Sequence, residues 1–258
     1  MIINFSEITI YEFFALILAG IAILIPIIQW AWKKWIVKPV LVHLPTGRAT
    51  LLFNQSGSYI RIEGVYEAKN KPISVKKISV TVKRQKDERK LNLVWSSFIS
   101  PVNQNMVGNY LVTTESAHPF RIEADSIQCA FTEFGDSFDS FGKTFRANTN
   151  VLFGKIPEIR NTCQDYDSAV TVYKDASEYI VAKDALSKEF FWEIGKYDID
   201  IEVEYGKQNK CFPYTLSVGE HENKLLMDNI EESLVSPLKI TYGMSRDYHY
   251  AIVELQMK

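Results

Sequence analysis

Cysteine is scarce in this chain: Cys129, Cys163 and Cys211 form an odd, widely spaced set with no CxxC pair. A secreted disulfide framework favours an even number, so the set reads as free, partly buried thiols in a reducing compartment. Histidine is nearly as sparse, with His43, His118, His221 and His249 sharing no HxH or HExxH context. His221-Glu222 lacks the second histidine of a zincin, and at a helix start His221 reads as a solvated or capping residue. The GxSxG, P-loop and GxGxxG signatures are missing too. No metal or cofactor is therefore expected and the chain is not expected to be an enzyme, although a catalytic set scattered in sequence is decided only in three dimensions. Excess positive charge is also lacking. Beyond Lys38 there are 26 basic against 29 acidic residues, a balance unsuited to a nucleic-acid face. Low-complexity tracts, long linkers and internal repeats are absent as well.

What the chain does have is one long apolar run, "FFALILAGIAILIPIIQWAWKKW", at 13–35. Between Phe13 and Trp32 no side chain is charged, and a helix of about 20 residues spans the hydrocarbon core of a bilayer. Phe13, Leu16, Ile21 and Leu24 leave no polar stripe, which argues against the buried helix of a soluble core. Tyr11 at one end and Trp30, Trp32 and Trp35 at the other suit the headgroup regions, with Lys33, Lys34 and Lys38 just beyond. Pro26 removes one backbone hydrogen bond and kinks the helix, a feature that membrane helices tolerate. The preceding residues, MIINFSEITIYE, carry no Lys or Arg and include Glu7 and Glu12, so the positive region of a cleaved signal peptide is missing.

Basic residues flank the run only at its carboxyl end. The positive-inside rule then expects residues 1–12 outside, 13–35 across the plasma (inner) membrane and the remainder in the cytoplasm. Ala15, Ala19 and Ala22 are small enough to let two such helices approach, which makes a homo-oligomer one expected assembly.

Beyond a connector at 36–47 the hydrophobic period changes to two. Ile60, Ile62 and Gly64 alternate with Tyr59, Arg61 and Glu63, and Val75, Ile78, Val80 and Val82 form a second run after the turn "NKP". "RQKDERK" at 84–90 reads as a hairpin tip before a third strand. The clearest strand is "GKYDIDIEVEY", where Tyr197, Ile199, Ile201, Val203 and Tyr205 share one face and four acids the other. "CFPYTLSV" supplies its hairpin partner across "GKQNK". The chain is thus expected to be mainly β: a transmembrane helix followed by an immunoglobulin-like antiparallel β-sandwich over 48–258, with one or two added helices. One helix is expected in "DYDSAVTVYKDASEYIVAKDAL", capped by Asp165 or Asp167, and another from His221 to Leu234, ended by Pro237. The tail reads as a last hairpin about Gly243.

"FTEFGDSFDSFGKTF" repeats phenylalanine at spacings of three and four. Packing into the core is the plain reading; the functional one is a partner surface made by Phe134, Phe138 and Phe141. The expected function is a membrane-anchored scaffold presenting a binding domain to a protein partner at the lipid bilayer. The alternative is a membrane-embedded effector or sensor whose soluble domain controls clustering of the helices.

Overall fold

The computed structural model describes residues 9–100, 113–136 and 139–258. Helix α1 (Ile10–Ala31) begins at a capping box in which the Thr9 amide donates to Glu12 and the Glu12 amide to the Thr9 hydroxyl. Two otherwise orphaned amides are satisfied there. Its last turn widens into a π-helical turn over Trp32–Ile36, and Pro26 lies inside the helix without ending it. The segment Ile10–Ile36 is 27 residues long, its most apolar stretch of 18 residues has a mean hydropathy of 2.4, and no residue of the segment is buried. It is long and apolar enough to cross a membrane.

Three residues later the β domain starts. Strands β1 (Val40–Asn54), β2 (Gly57–Lys69), β3 (Ile73–Arg84) and β4 (Lys90–Ser100) are followed by β5 (Thr113–Ser116), β6 (Phe120–Ile122) and β7 (Ser126–Gly135). Helices α2 (Ser140–Gly154), α3 (Ile156–Thr162), α4 (Tyr166–Asp175) and α5 (Ser177–Glu189) come next. The hairpin β8 (Gly195–Tyr205) and β9 (Gln208–Val218), helix α6 (Glu220–Thr241) and short strands β10 (Ala251–Glu254) and β11 (Gln256–Met257) complete the chain.

The eleven strands among the described residues belong to one antiparallel sheet, ordered β10-β1-β2-β7-β4-β3-β8-β9-β11, with β5 on β4 and β6 on β3. The final segment nearly closes this sheet into a barrel. Thr50 pairs with Ile252 on one edge, Gln256 pairs with Thr215 on the other, and the Leu255 amide between them donates to Gly47. The expected immunoglobulin-like sandwich is not confirmed, since the strands follow one continuous order instead of dividing into two packed sheets. Alternation tells which face of a strand is buried but not which strand lies beside it.

Inward residues fill the interior: Ile60 and Ile62 on β2, Ile78 and Val80 on β3, Ile199 and Ile201 on β8 are all essentially inaccessible. Each contributes about 1.5–3 kcal/mol through burial. Helices α2–α6 cover the end of the barrel away from α1. There Trp192 donates its indole N–H to the Leu52 carbonyl, Asn229 its amide to Phe53, and Gln55 its amide to Ser233 of α6. Among the described residues five helices thus accompany the barrel where one or two were expected. Helix α6 runs through Pro237 to Thr241. Proline costs one backbone bond, and the packing of Leu234, Val235 and Leu238, all buried, outweighs it. Residues 238–241, expected in a last hairpin, are therefore helical.

Candidate functional site

The end of the barrel nearest α1 is built differently from the rest. Strand β10 covers only Arg48–Leu51 of β1, and β11 only Tyr214 and Thr215 of β9. Among the described residues no strand pairs with the outer edge of β1 from Val40 to Thr46, which faces the outer edge of β9. Side chains cross this seam in place of a ladder. The Lys210 ammonium donates to the Leu41 carbonyl at 2.6 Å, and His43 Nδ1 shares a 2.8 Å hydrogen bond with the Tyr214 hydroxyl. Leu41 therefore turns its backbone groups toward the seam, as do His43 and Pro45 by the period of two. Pro45 has no amide to offer there, which is where a sheet edge accepts proline.

His43 is 3% exposed. It stacks on Tyr66 at 4.6 Å, and Phe212 and Tyr214 approach it at 5.6 Å. Burial without a charged partner pushes its pKa down to about 4 and that of Tyr214 up to about 12. Tyr66 is pushed upward by burial and by the neighbouring Tyr214. Opposite Nε2 stands Gly64, where an added Cβ would lie 2.6 Å from that nitrogen. His43 is thus a neutral, walled-in ring that locks the seam.

The rings continue outward. Tyr66 meets Phe120 at 6.2 Å, Phe120 meets Trp95 at 5.9 Å, Trp95 meets Phe98 at 4.4 Å, and Phe98 meets His118 at 5.2 Å. This aromatic row plugs the barrel mouth from seam to surface, each pair worth about 0.5–1.5 kcal/mol beyond burial. At its outer end β4, still paired with β7 at Ser97 and Phe98, leaves β3 to pair with β5, and β3 leaves β4 to pair with β6. His118 sits at the fork between two clefts of about 600 and 430 Å³, the larger walled by Phe98, Phe120 and Phe131, the smaller by Trp95. A third cleft, of about 490 Å³, lies at the opposite end between the barrel rim and α2, with Arg89, Asn92, Thr144 and Glu189 on its walls.

The residues singled out in the sequence fall in two places. Phe13, Leu16, Ile21, Leu24, Trp30 and Trp32 are all exposed on α1, with Lys33 and Lys34 in its last turn and the Lys34 ammonium 4.6 Å above the Trp30 ring. Phe134 and Phe141 take the core role. Phe134 lies on β7 and is fully buried, so its ring has no face left for a partner. Phe141 begins α2, half-buried against Phe53 and Gly57. Phe138 lies outside the described residues. Strand and helix meet inside this segment, so the helical spacing of its phenylalanines does not place them on one face.

Sequence reading missed His43, Tyr66, Lys210 and Tyr214, which come from the β1–β2 hairpin and from β9, far from it in the chain. The available signal was His43 at an inward position of a strand otherwise apolar on that side. Among the described residues no three of His, Cys, Asp and Glu gather closely enough to hold a metal ion.

No protein-family model matches this chain, and no curated protein does. A solved family 123 glycoside hydrolase from Clostridium perfringens is similar in part, with a TM-score of 0.30 at 9% identity. The likeness covers 70% of this chain but only 27% of that one, and at this size it assigns neither fold nor function.

Proposed function

We propose that this protein is a single-pass membrane-anchored scaffold: α1 crosses the bilayer with its amino terminus outside, and the barrel stands at the cytoplasmic surface. The observation that carries the reading is the wholly exposed apolar helix Ile10–Ile36, joined to β1 by three residues. In water that surface would cost about 25 cal/mol per Å² of apolar area, a penalty that lipid removes. Lys33, Lys34 and Lys38 stand only at the carboxyl end, which favours the cytoplasmic side for the barrel. The three free cysteines fit a reducing compartment.

The binding surface is the outer edge of β1 over Val40–Thr46, which no strand pairs with among the described residues, and the partner is a protein at the same membrane that adds an extended segment to it in place of the side-chain bridges from Lys210 and Tyr214. Backbone groups outside any ladder, the Leu41 carbonyl among them once Lys210 releases it, supply affinity, and outward side chains such as Val40 and Leu44, both exposed, supply selectivity. Tethering a few residues from the bilayer raises the effective concentration of such a partner.

A photoactivatable residue in place of Leu44, compared in cells with one in place of the more exposed Val151 on α2, tests the edge. A discrete adduct from position 44 that disappears when residues 1–38 are deleted supports it. Identical adducts from both positions, or none from position 44, count against it.

A further inference from the structure

We infer that the α1-proximal end of the barrel is a docking surface for the anionic headgroups of the bilayer in which α1 sits, an inference that rests on the membrane-anchored reading. The argument begins with how the strand ends gather charge. Among the described residues four connections meet at this end: the exit from α1, the β2–β3 turn, the β6–β7 turn and the β8–β9 turn. Their common level follows from the register, since Val40 pairs with Lys69, Ile73 with Ile122 and Val75 with Tyr205.

Lys33, Lys34 and Lys38 leave the helix here. Lys69, Lys71, Lys76 and Lys77 follow on the β2–β3 side, and Arg121, Lys207 and Lys210 on the other turns. Against these ten stand Glu67, Glu115, Glu123, Asp125 and Glu204. The rest of the chain then carries 19 of the 29 basic residues and 26 of the 31 acidic ones. A molecule with a net charge of −2 thus keeps a positive pole at one end.

Part of that charge is paired locally, Lys69 with Glu67, Lys76 with Glu204 and Arg121 with Glu123. Lys77 and Lys207 are exposed, and no carboxylate within 4.0 Å pairs with either among the described residues. Lys71 and Lys210 donate to backbone carbonyls, of Lys34 and Leu41. The Lys71 contact, with that of Asn70 to the Lys38 carbonyl, ties the β2–β3 turn to the end of the helix. The positive pole is thereby fixed at the helix exit, within a Debye length of the headgroups, where an anionic surface attracts each lysine. Two attachments, one apolar and one electrostatic, would hold the barrel upright and set the height of the β1 edge.

The test uses the full-length protein with two sets of vesicles, one of phosphatidylcholine alone and one containing about 30 mol% phosphatidylglycerol. Flotation reports the anchor, and acylation of lysines by a water-soluble reagent, read by mass spectrometry, reports docking. Expected is flotation with both sets, with Lys71, Lys77 and Lys207 acylated at least about threefold more slowly on anionic vesicles and the protection lost in about 0.5 M salt. Lys143 and Lys188, at the helical end, should react equally on both. The combined variant K71E/K77E/K207E should float as the wild type does but lose the protection.

Flotation with both vesicle types and equal acylation everywhere would overturn the docking surface and leave the anchor standing. Flotation with anionic vesicles alone, with the lysines protected, would overturn the anchor and leave the surface. Flotation with neither would overturn both.

Discussion

His43 is the residue on which the seam turns, and its chemistry makes a signed prediction. Its folded pKa, about 4, lies below the ordinary value of 6.5, so between these values the unfolded chain binds a proton that the folded one does not. The stability it contributes is complete above pH 6.5, is lost as pH falls toward 4, and levels off below. The full loss is about 3 kcal/mol. Urea denaturation in detergent between pH 7 and 4 should show it, and His43→Phe should flatten that portion of the curve. A variant with the wild-type slope would show that His43 is not the titrating group. Gly64 tests the same packing from the opposite strand. An alanine there meets His43 Nε2 at 2.6 Å and the Leu44 carbonyl at 3.2 Å, so Gly64→Ala should destabilise by about 1–3 kcal/mol. Because the nearer contact is to the imidazole, combining it with His43→Ala should cost at least about 1 kcal/mol less than the sum of the two. Strict additivity would mean that the clash lies with the backbone.

Among the elements, α6 carries a buried polar cluster that joins it to a distant segment. Glu232, 6% exposed, pairs with Lys239, accepts from the Ser236 hydroxyl and accepts from the Asp247 amide. One carboxylate thus ties the helix to the segment leading to β10, and through it to closure of the barrel. Glu232→Ala leaves an ammonium and a buried hydroxyl unpaired, and should cost about 2–4 kcal/mol. Denaturation midpoints measure that cost, and a loss below about 0.5 kcal/mol would mean that the pair is solvated. Elements of this kind were legible in the sequence to different degrees. The β8–β9 hairpin was read correctly because its alternation is unbroken, and Asp165 does cap α4, accepting from the Ser168 amide at 2.8 Å. The end of α6 was misread because tertiary packing carries the helix past Pro237. The Phe-rich segment misleads for a related reason. A spacing of three and four has meaning only within one element, and here Phe134 closes a strand while Phe141 opens a helix.

At the scale of the whole molecule, the features that matter are relations between distant segments. Apolarity, length and flanking lysines made α1 readable, since each is a local property. The closure of the sheet was not readable, because it depends on where the last eight residues lie. One side of that segment pairs with β1, about two hundred positions earlier in the chain, and the other with β9. For the same reason the seam, with His43 from β1, Tyr66 from β2 and Tyr214 from β9, left no motif in the sequence. The sidedness of the molecule has a direct measurement, because Cys129 and Cys211 are exposed on the barrel. A membrane-impermeant maleimide should leave both unlabelled in intact cells and label them after permeabilisation, whereas a cysteine introduced as Ser6→Cys should react in intact cells. Labelling of Cys211 without permeabilisation, or of position 6 only after it, would contradict a helix that crosses the membrane with the barrel inside.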